Sequence, residues 1–373
     1  MIRLLLILLL PVIAEAAGHI KFRTEAPLIA MDQPWEIAGS GSSVVGVIPD
    51  PTEDRLRMYY MVRFSGEGTR NILCVAFSRD GLTWEKPDLG DGNNIVMRSA
   101  GNPMNWGTFH CQSISYDPNE SNPAWRWKLL FWGRRDPDLP PGFHFAGSAD
   151  GLAWSPVLER PVITNANDAG SFGLPNPRAA EGARDSSILL YQQTWRYDPD
   201  LPVDRDNLDF MQRVISIWTV NDFPTQWVGP TQVIVPDDAD APDLQFYWFV
   251  PFYSETGYYG LMNIHHTGDQ TMDVQLMSSA DGWTWQRELD REPLVPPGER
   301  GRFDCGMVHI AARPVIWKGK VLLYYNGRAT VHDHQQRHPT QSPARTRSRD
   351  RFGRTRSRSV GFTEALDSIR PAD

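Results

Sequence analysis

The chain alternates short apolar runs with polar gaps rich in glycine and proline, and stretches of 3.6-residue period are almost missing. Residues 43–48, 56–62 and 72–77 read as three successive strands. Residues 109–115 and 127–132 begin a second set, 171–174 and 188–191 a third, and 246–252, 258–262 and 274–277 a fourth. A fifth set begins with 306–310 and 321–325. Within a set the strands run A to D, inner to outer, with Trp84 expected to open strand D of the first.

A short box follows the third strand of a set. It reads Ser78-Arg79-Asp80-Gly81-Leu82-Thr83-Trp84, then Ser148-Ala149-Asp150-Gly151-Leu152-Ala153-Trp154, then Ser279-Ala280-Asp281-Gly282-Trp283-Thr284-Trp285. A worn copy runs from Thr219 to Trp227. The pattern encodes a tight turn: Asp bonds the backbone two residues on, Gly takes positive φ, and Trp packs beneath. The tryptophans at 84, 154, 227 and 285 are 70, 73 and 58 residues apart, the length of one four-stranded sheet with its loops. Sheets of that size repeated radially make a β-propeller. The expected fold is therefore all-β, a five-bladed β-propeller over residues 18–334 whose fifth blade runs short of outer strands. A strand at residues 19–23 is available to supply part of it.

Composition fits an all-β chain: 14 Trp, 30 Gly and 30 Pro among 373 residues. Residues 1–17 read as a signal peptide, with Arg3 ahead of an apolar run from Leu4 to Ala14 and a small-x-small site at Ala14-Glu15-Ala16. That run is too short to span a bilayer, so a secreted or periplasmic monomer with no membrane contact after cleavage is expected. The formal charge is −8. From Gln335 onward nine Arg face four acids, a net of +5 that leaves −13 for the rest and argues against nucleic acid as partner. In the tail, residues 335–373, the stretch 340–360 has Arg at alternate positions and few apolar partners. They read as a disordered basic tail or as a stretch outside the original reading frame, contributing nothing to the propeller. Cys74, Cys111 and Cys305 are odd in number and lack metal-ligand spacing, so buried free thiols, no metal and no cofactor are expected.

Chemistry has to come from one rim. Crossovers between blades and the B–C loops open on the same rim, opposite the boxes, which makes Asp80, Asp150 and Asp281 structural. The crossovers bring Glu36, His110, Asp168, Asp243 and Asp304, and the B–C loops bring Arg63, Arg134, Arg135, Asp136, His265, His266 and Arg328. Trp106, Tyr247 and Trp248 are aromatics on or near that rim. Carboxylates among aromatics around a funnel suit glycosidic-bond cleavage, in which one acid protonates the leaving oxygen and a second activates water or attacks. The catalytic candidates are Asp304, Asp136, Asp243, Asp168 and Glu36, with Asp304 and Asp136 as the leading pair. Trp106, His110, Arg63, Arg135, Tyr247 and Trp248 are the substrate-binding candidates for a carbohydrate. His265-His266 is no metal pair, because neighbours along a strand face opposite sides.

Several stretches carry a resemblance. Pro34-Trp35-Glu36, Arg57-Met58-Tyr59-Tyr60, the first box with Asn93-Asn94-Ile95-Val96 after it, Gly301 to Val308 and Tyr324-Tyr325 resemble exported bacterial proteins similar to glycoside hydrolase families 32 and 43. The resemblance covers roughly residues 30–330 and implies the five-bladed propeller of invertases, levansucrases and arabinanases, with three acids at the funnel. Arg135-Asp136-Pro137 looks like the Arg-Asp-Pro of the invertase type, which implies that Asp136 steadies an oxocarbenium-like state. The Asn-Asp-Pro-Asn-Gly and Glu-Cys motifs of invertases are absent from this chain. Two other activities fit the rim residues: a sugar-binding propeller without catalysis, and a sialidase-like hydrolase using Arg63, Arg134, Arg135 and Arg328.

Overall fold

In the computed structural model the chain forms a five-bladed β-propeller. It describes residues 20–64, 71–99, 106–136, 138–164, 169–175, 188–200, 210–220, 223–254, 257–332 and 359–365. The first strand in the chain, β1 (Ile20–Arg23), belongs to the last blade. Blade one is β2 (Gly41–Pro49), β3 (Leu56–Arg63), β4 (Ile72–Ser78) and β5 (Ile95–Arg98), preceded by a helical turn α1 (Pro34–Ile37). Blade two is β6 (Thr108–Tyr116), β7 (Trp127–Arg134) and β8 (Gly142–Ser148), with β9 (Ser155–Pro156) and β10 (Ile163–Thr164) both pairing β8. Blade three is β11 (Gly170–Pro175), β12 (Ile188–Tyr197), β13 (Met211–Val220) and β14 (Trp227–Ile234). Blade four is β15 (Leu244–Ser254), β16 (Gly257–His266), β17 (Thr271–Ser279) and the short β18 (Gln286–Arg287).

Blade five completes the ring. Its inner strand is split into β19 (Met307–Ile310) and β20 (Val315–Trp317), both pairing β21 (Lys320–Arg328). β22 (Ser359–Ala365) pairs β21 through seven residues, and β1 pairs β22 through three. The basic tail therefore does contribute to the propeller, against the expectation that it stays outside. A strand needs neighbours to satisfy its N–H and C=O groups, and here one of the two, β1, comes from the other end of the chain, invisible to a local reading. The strand expected at residues 19–23 does close the blade. Residues 1–19, 333–358 and 366–373 lie outside the described set, and with them the signal-peptide reading.

Why the strands read as continuous apolar runs is now plain. Each blade packs on both neighbours, so both faces of its middle strands are covered, and one apolar cluster fills each of the five interfaces. Leu56, Tyr60 and Cys74 face blade five, while Tyr59, Leu73 and Val75 face blade two. Trp84 does not open strand D: Glu85 makes one bridge to Phe77, and the outer strand begins ten residues later at Ile95. Its ring instead lies edge-on to Tyr324, 5.8 Å away, under the turn. Cys74 and Cys111 are buried free thiols, but Cys305 is only half-buried. Among the described residues no helix is long and apolar enough to cross a membrane.

Candidate functional site

The boxes on the lower rim fold alike. Oδ1 of Asp80 accepts from the backbone N–H of Leu82 and Thr83, both at 2.7 Å. Asp150 does the same with Leu152 and Ala153 at 2.7 and 2.9 Å, and Asp281 with Trp283 and Thr284 at 2.9 and 2.8 Å. Burial opposes the charge on Asp80 and Asp150, but these backbone bonds outweigh it and lower both pKa values. The three glycines sit at φ +81°, +75° and +71°, where a side chain is strained. Each glycine carbonyl accepts from a tyrosine of the preceding blade: Gly81 from Tyr324 at 2.9 Å, Gly151 from Tyr59 at 3.0 Å, and Gly282 from Tyr191. The boxes thus clamp blade to blade.

Two of the five candidate acids serve a similar purpose. Glu36, on α1, is fully buried; it accepts from Tyr60 Oη at 2.6 Å and pairs with Lys86 Nζ at 2.6 Å. Asp304 is also fully buried; it accepts from Tyr325 Oη at 2.7 Å and pairs with Arg23 at 2.9 Å and Arg302 at 3.4 Å. The two arrangements are one device written twice. In Tyr59-Tyr60 and Tyr324-Tyr325 the side chains alternate across the strand, so one hydroxyl reaches the next blade's box and the other the acid of its own crossover. Asp304 and Glu36 therefore face inter-blade interfaces rather than the funnel, contrary to their expected place.

The other acids scatter. Asp136 is exposed and caps a turn, Oδ1 accepting from Asp138 N at 2.9 Å, so it forms no pair with the buried Asp304. Asp243 stands at the funnel rim of blade four, where Oδ2 accepts from Gly268 N at 3.0 Å and its carbonyl from Thr267 N at 2.9 Å. Asp168 lies outside the described residues. Of the expected binding residues, Trp106 is a core side chain, edge-on to Phe131 at 5.7 Å. Arg135 lies over the Trp106 ring and pairs with Glu159 at 2.9 Å. With Asp136 and Arg160 it lines an open depression of about 410 Å³ on the outer edge of blade two, a surface dish away from the axis. Trp248 is buried between blades four and five. His110 is half-buried at the funnel end of β6, with Nδ1 2.7 Å from Gln112 Nε2.

Tyr247 is the expected residue that does organise a site. It sits at a bulge in β15, between Phe246 and Trp248. A bulge re-aims a side chain, and this one meets three imidazoles: His332 at 5.1 Å, His265 at 5.8 Å and His309 at 6.1 Å between ring centres. His332 Nε2 is 3.1 Å from Tyr247 Oη, and the Arg213 guanidinium covers the ring at 5.3 Å. Tyr247, Met272, Met307, His309, Asn326, Arg328 and His332 line a cleft of about 30 Å³ at the funnel rim. One wall is the parallel bridge Met272–Met307, a strand pairing between blades four and five that no other pair of blades shows among the described residues.

The cleft is cationic. Burial, then the charge of Arg63, pushes the Arg328 pKa down to about 10, while Tyr247 acts the other way. Among the described residues no carboxylate pairs with Arg328. Burial, with His332 and Arg213 nearby, drives His265 well below its ordinary value, so its imidazole is neutral. On the other face of blade four, burial opposes charge on His266, but Asp273 at 2.7 Å outweighs it and raises the pKa. His309, His332, Asn326 and Arg213 were missed as site residues. His309 did leave a signal: a polar residue inside the apolar run Met307 to Ile310. Among the described residues no group of three or more His, Cys, Asp or Glu is placed to hold a metal.

Comparison with known proteins adds the fold's company. No protein-family model matches the chain, and no curated protein does. Solved structures do. BT0996, solved as a complex with RGII, shares 12% identity at a TM-score of 0.61, over 96% of this protein and 97% of that one. A β-1,2-mannobiose phosphorylase from Listeria innocua shares 11% at 0.55, over 93% and 97%. A glycosyl hydrolase from Bacteroides ovatus shares 15% at 0.52, over 95% and 91%. At such identities the likeness is one of fold: the chain is a five-bladed propeller of the architecture used by glycoside hydrolases and glycoside phosphorylases.

Proposed function

We propose that the protein is an exported enzyme that cleaves a glycosidic bond in an oligo- or polysaccharide bound at the funnel rim between blades four and five. The observation that carries this reading is the cleft in which Tyr247, His309 and His332 surround a guanidinium, Arg328, that has no carboxylate partner among the described residues. Aromatic and imidazole faces take the apolar face of a sugar, and a guanidinium takes an oxyanion in bidentate fashion. The fold's occurrence among glycoside-cleaving enzymes supports the same reading. Asp243, just ahead of β15, carries the acid role in this proposal, with Asp168, which the sequence reading put at a crossover, as the other candidate. Protonation of the leaving oxygen needs one of them in reach of the bond.

The test is direct. The purified protein, incubated with neutral and uronate-bearing oligosaccharides, with and without inorganic phosphate, is expected to release product from at least one. Arg328→Met is expected to abolish turnover while leaving the unfolding transition in place, and Asp243→Asn and Asp168→Asn assign the acid. Binding without product in every case favours a sugar-binding propeller, and no binding to any member of the panel refutes the reading. The guanidinium, unpaired with any carboxylate among the described residues, favours one variant of it, in which phosphate replaces water as the attacking group; product formed only with phosphate present identifies that. Export follows from residues 1–17 as a signal peptide, and a mature N-terminus near Ala17 by mass spectrometry is the expected result.

A further inference from the structure

A second cation lies on the axis, in the opposite half of the channel. The inner strand of blade five breaks after Ile310 and resumes at Val315, and the break places Arg313 in the channel. In blades one and five the inner strand is irregular near the same level: between the partners of Tyr60 and Tyr59 in blade one, and between those of Tyr325 and Leu322 in blade five. Blade one inserts a single residue there, Val45, whereas blade five departs from the ladder for four. The guanidinium crosses to blade three and donates through Nη2 to the carbonyl of Phe172. A Cβ on Gly173 would lie 2.8 Å from that Nη2 and 3.5 Å from the Cβ of Ser115 on blade two, so blades two, three and five converge on this charge.

Among the described residues the charge is uncompensated. Among the described residues Arg313 makes that one hydrogen bond and no ion pair, and no carboxylate lines the cavity of about 350 Å³ that contains it. The residue is half-buried and lines the cavity, and burial pushes its pKa down to about 10. The lining is mostly apolar, and Ser113, Ser115 and Ser171 bring hydroxyls to it. Ser171 is buried, and its Oγ has no hydrogen-bond partner among the described residues. A buried charge without a counter-charge is strongly unfavourable, and a buried hydroxyl without a partner adds to the cost. One small anion in the cavity answers both.

We propose that the lower half of the central channel binds a small inorganic anion, a halide or a small oxyanion, held by the Arg313 guanidinium with the hydroxyls of Ser115 and Ser171. The anion ties blades two, three and five together across the axis and stops the channel below the funnel. This site is separate from the rim cleft and does not depend on the glycan reading.

The test is thermal unfolding of the full mature protein at constant sodium, with poly-glutamate, too large to enter, exchanged stepwise for chloride, bromide or phosphate. The parent protein is expected to gain about 3–5 °C in Tm, saturably. A gain with the halides alone identifies a halide site, and a gain with phosphate alone an oxyanion site. Arg313→Met is expected to lose the anion dependence. Ser115→Asp supplies an internal carboxylate and is expected to show a high Tm with no anion dependence, so it decides the matter if Arg313→Met does not fold. In bromide-soaked crystals an anomalous peak beside Arg313 is expected. A parent Tm that ignores the anion, an undiminished gain in either variant, or bromide bound only elsewhere overturns the proposal.

Discussion

Replacing Asp304 by Asn separates a lock from a catalyst. The carboxylate is fully buried, holds Arg23 at 2.9 Å and Arg302 at 3.4 Å, and accepts from Tyr325 at 2.7 Å. Asn preserves the shape and can still accept from the tyrosine. It removes the charge, however, and leaves the mostly buried Arg23 without its only acidic partner among the described residues. Breaking a buried pair from one side costs about 3–5 kcal/mol, and the retained tyrosine bond argues for the lower end. Asp136→Asn is the control: exposed, able to keep its turn bond, and expected to change stability by less than about 0.5 kcal/mol. Urea unfolding followed by tryptophan fluorescence reads both. A double-mutant cycle of Asp304→Asn with Arg23→Met should return a coupling of at least about 1 kcal/mol. If Asp304→Asn is as stable as the parent and the coupling is near zero, the lock does not exist. Full stability combined with lost glycan cleavage would restore Asp304 to the catalytic list.

Two further outcomes follow from the same packing. Ending the protein at Arg358 deletes β22, the only ladder partner of β1 among the described residues, so circular dichroism is expected to show loss of the cooperative transition; an unchanged Tm refutes the closure. His144 is buried, stacked on Phe131 at 5.1 Å, and burial with the nearby Arg135 charge lowers its pKa from the ordinary 6.5 to about 4. The unfolded protein then binds the extra proton between those values, so this stability is full above pH ~6.5 and lost as pH falls toward 4, by at most about 3 kcal/mol. The urea midpoint of His144→Phe should fall less than the parent's over that range, and equal falls refute the assignment.

How much was legible depended on where the partner of each residue lay. The boxes were legible because every bond they need lies within four residues, from Ser78 to Thr83 and likewise in the other two copies. Blade number followed from their spacing. The tyrosine clamps were not legible, since Tyr324 and Gly81 stand 243 residues apart. β22 failed for the same reason: nothing within the basic tail announces that β1 and β21 will flank it. The acids failed differently. Chain order put Glu36 and Asp304 at crossovers, and that was right. It could not tell a side chain turned into the funnel from one turned between blades, where Lys86 and Arg23 were waiting.

That distinction gives a rule for reading the rest of this molecule. A propeller reuses one solution for each interface, so a residue with the same partner type in several blades answers a problem common to all of them. The box aspartates recur three times, the glycine-bonding tyrosines three times and the buried acid–tyrosine pair twice. Those are structural by their repetition. Catalysis and binding have no reason to repeat round the ring, because one substrate breaks its symmetry. Inner-strand bulges recur in blades one to four; the departures from the repeat are the imidazoles gathered round Tyr247, the Met272–Met307 bridge, Arg328 with no carboxylate partner among the described residues, and the four-residue break that admits Arg313. Three of the four meet at one cleft on the upper rim, and the fourth lies on the axis below it. Function is to be sought there, where blades four and five stop resembling the others.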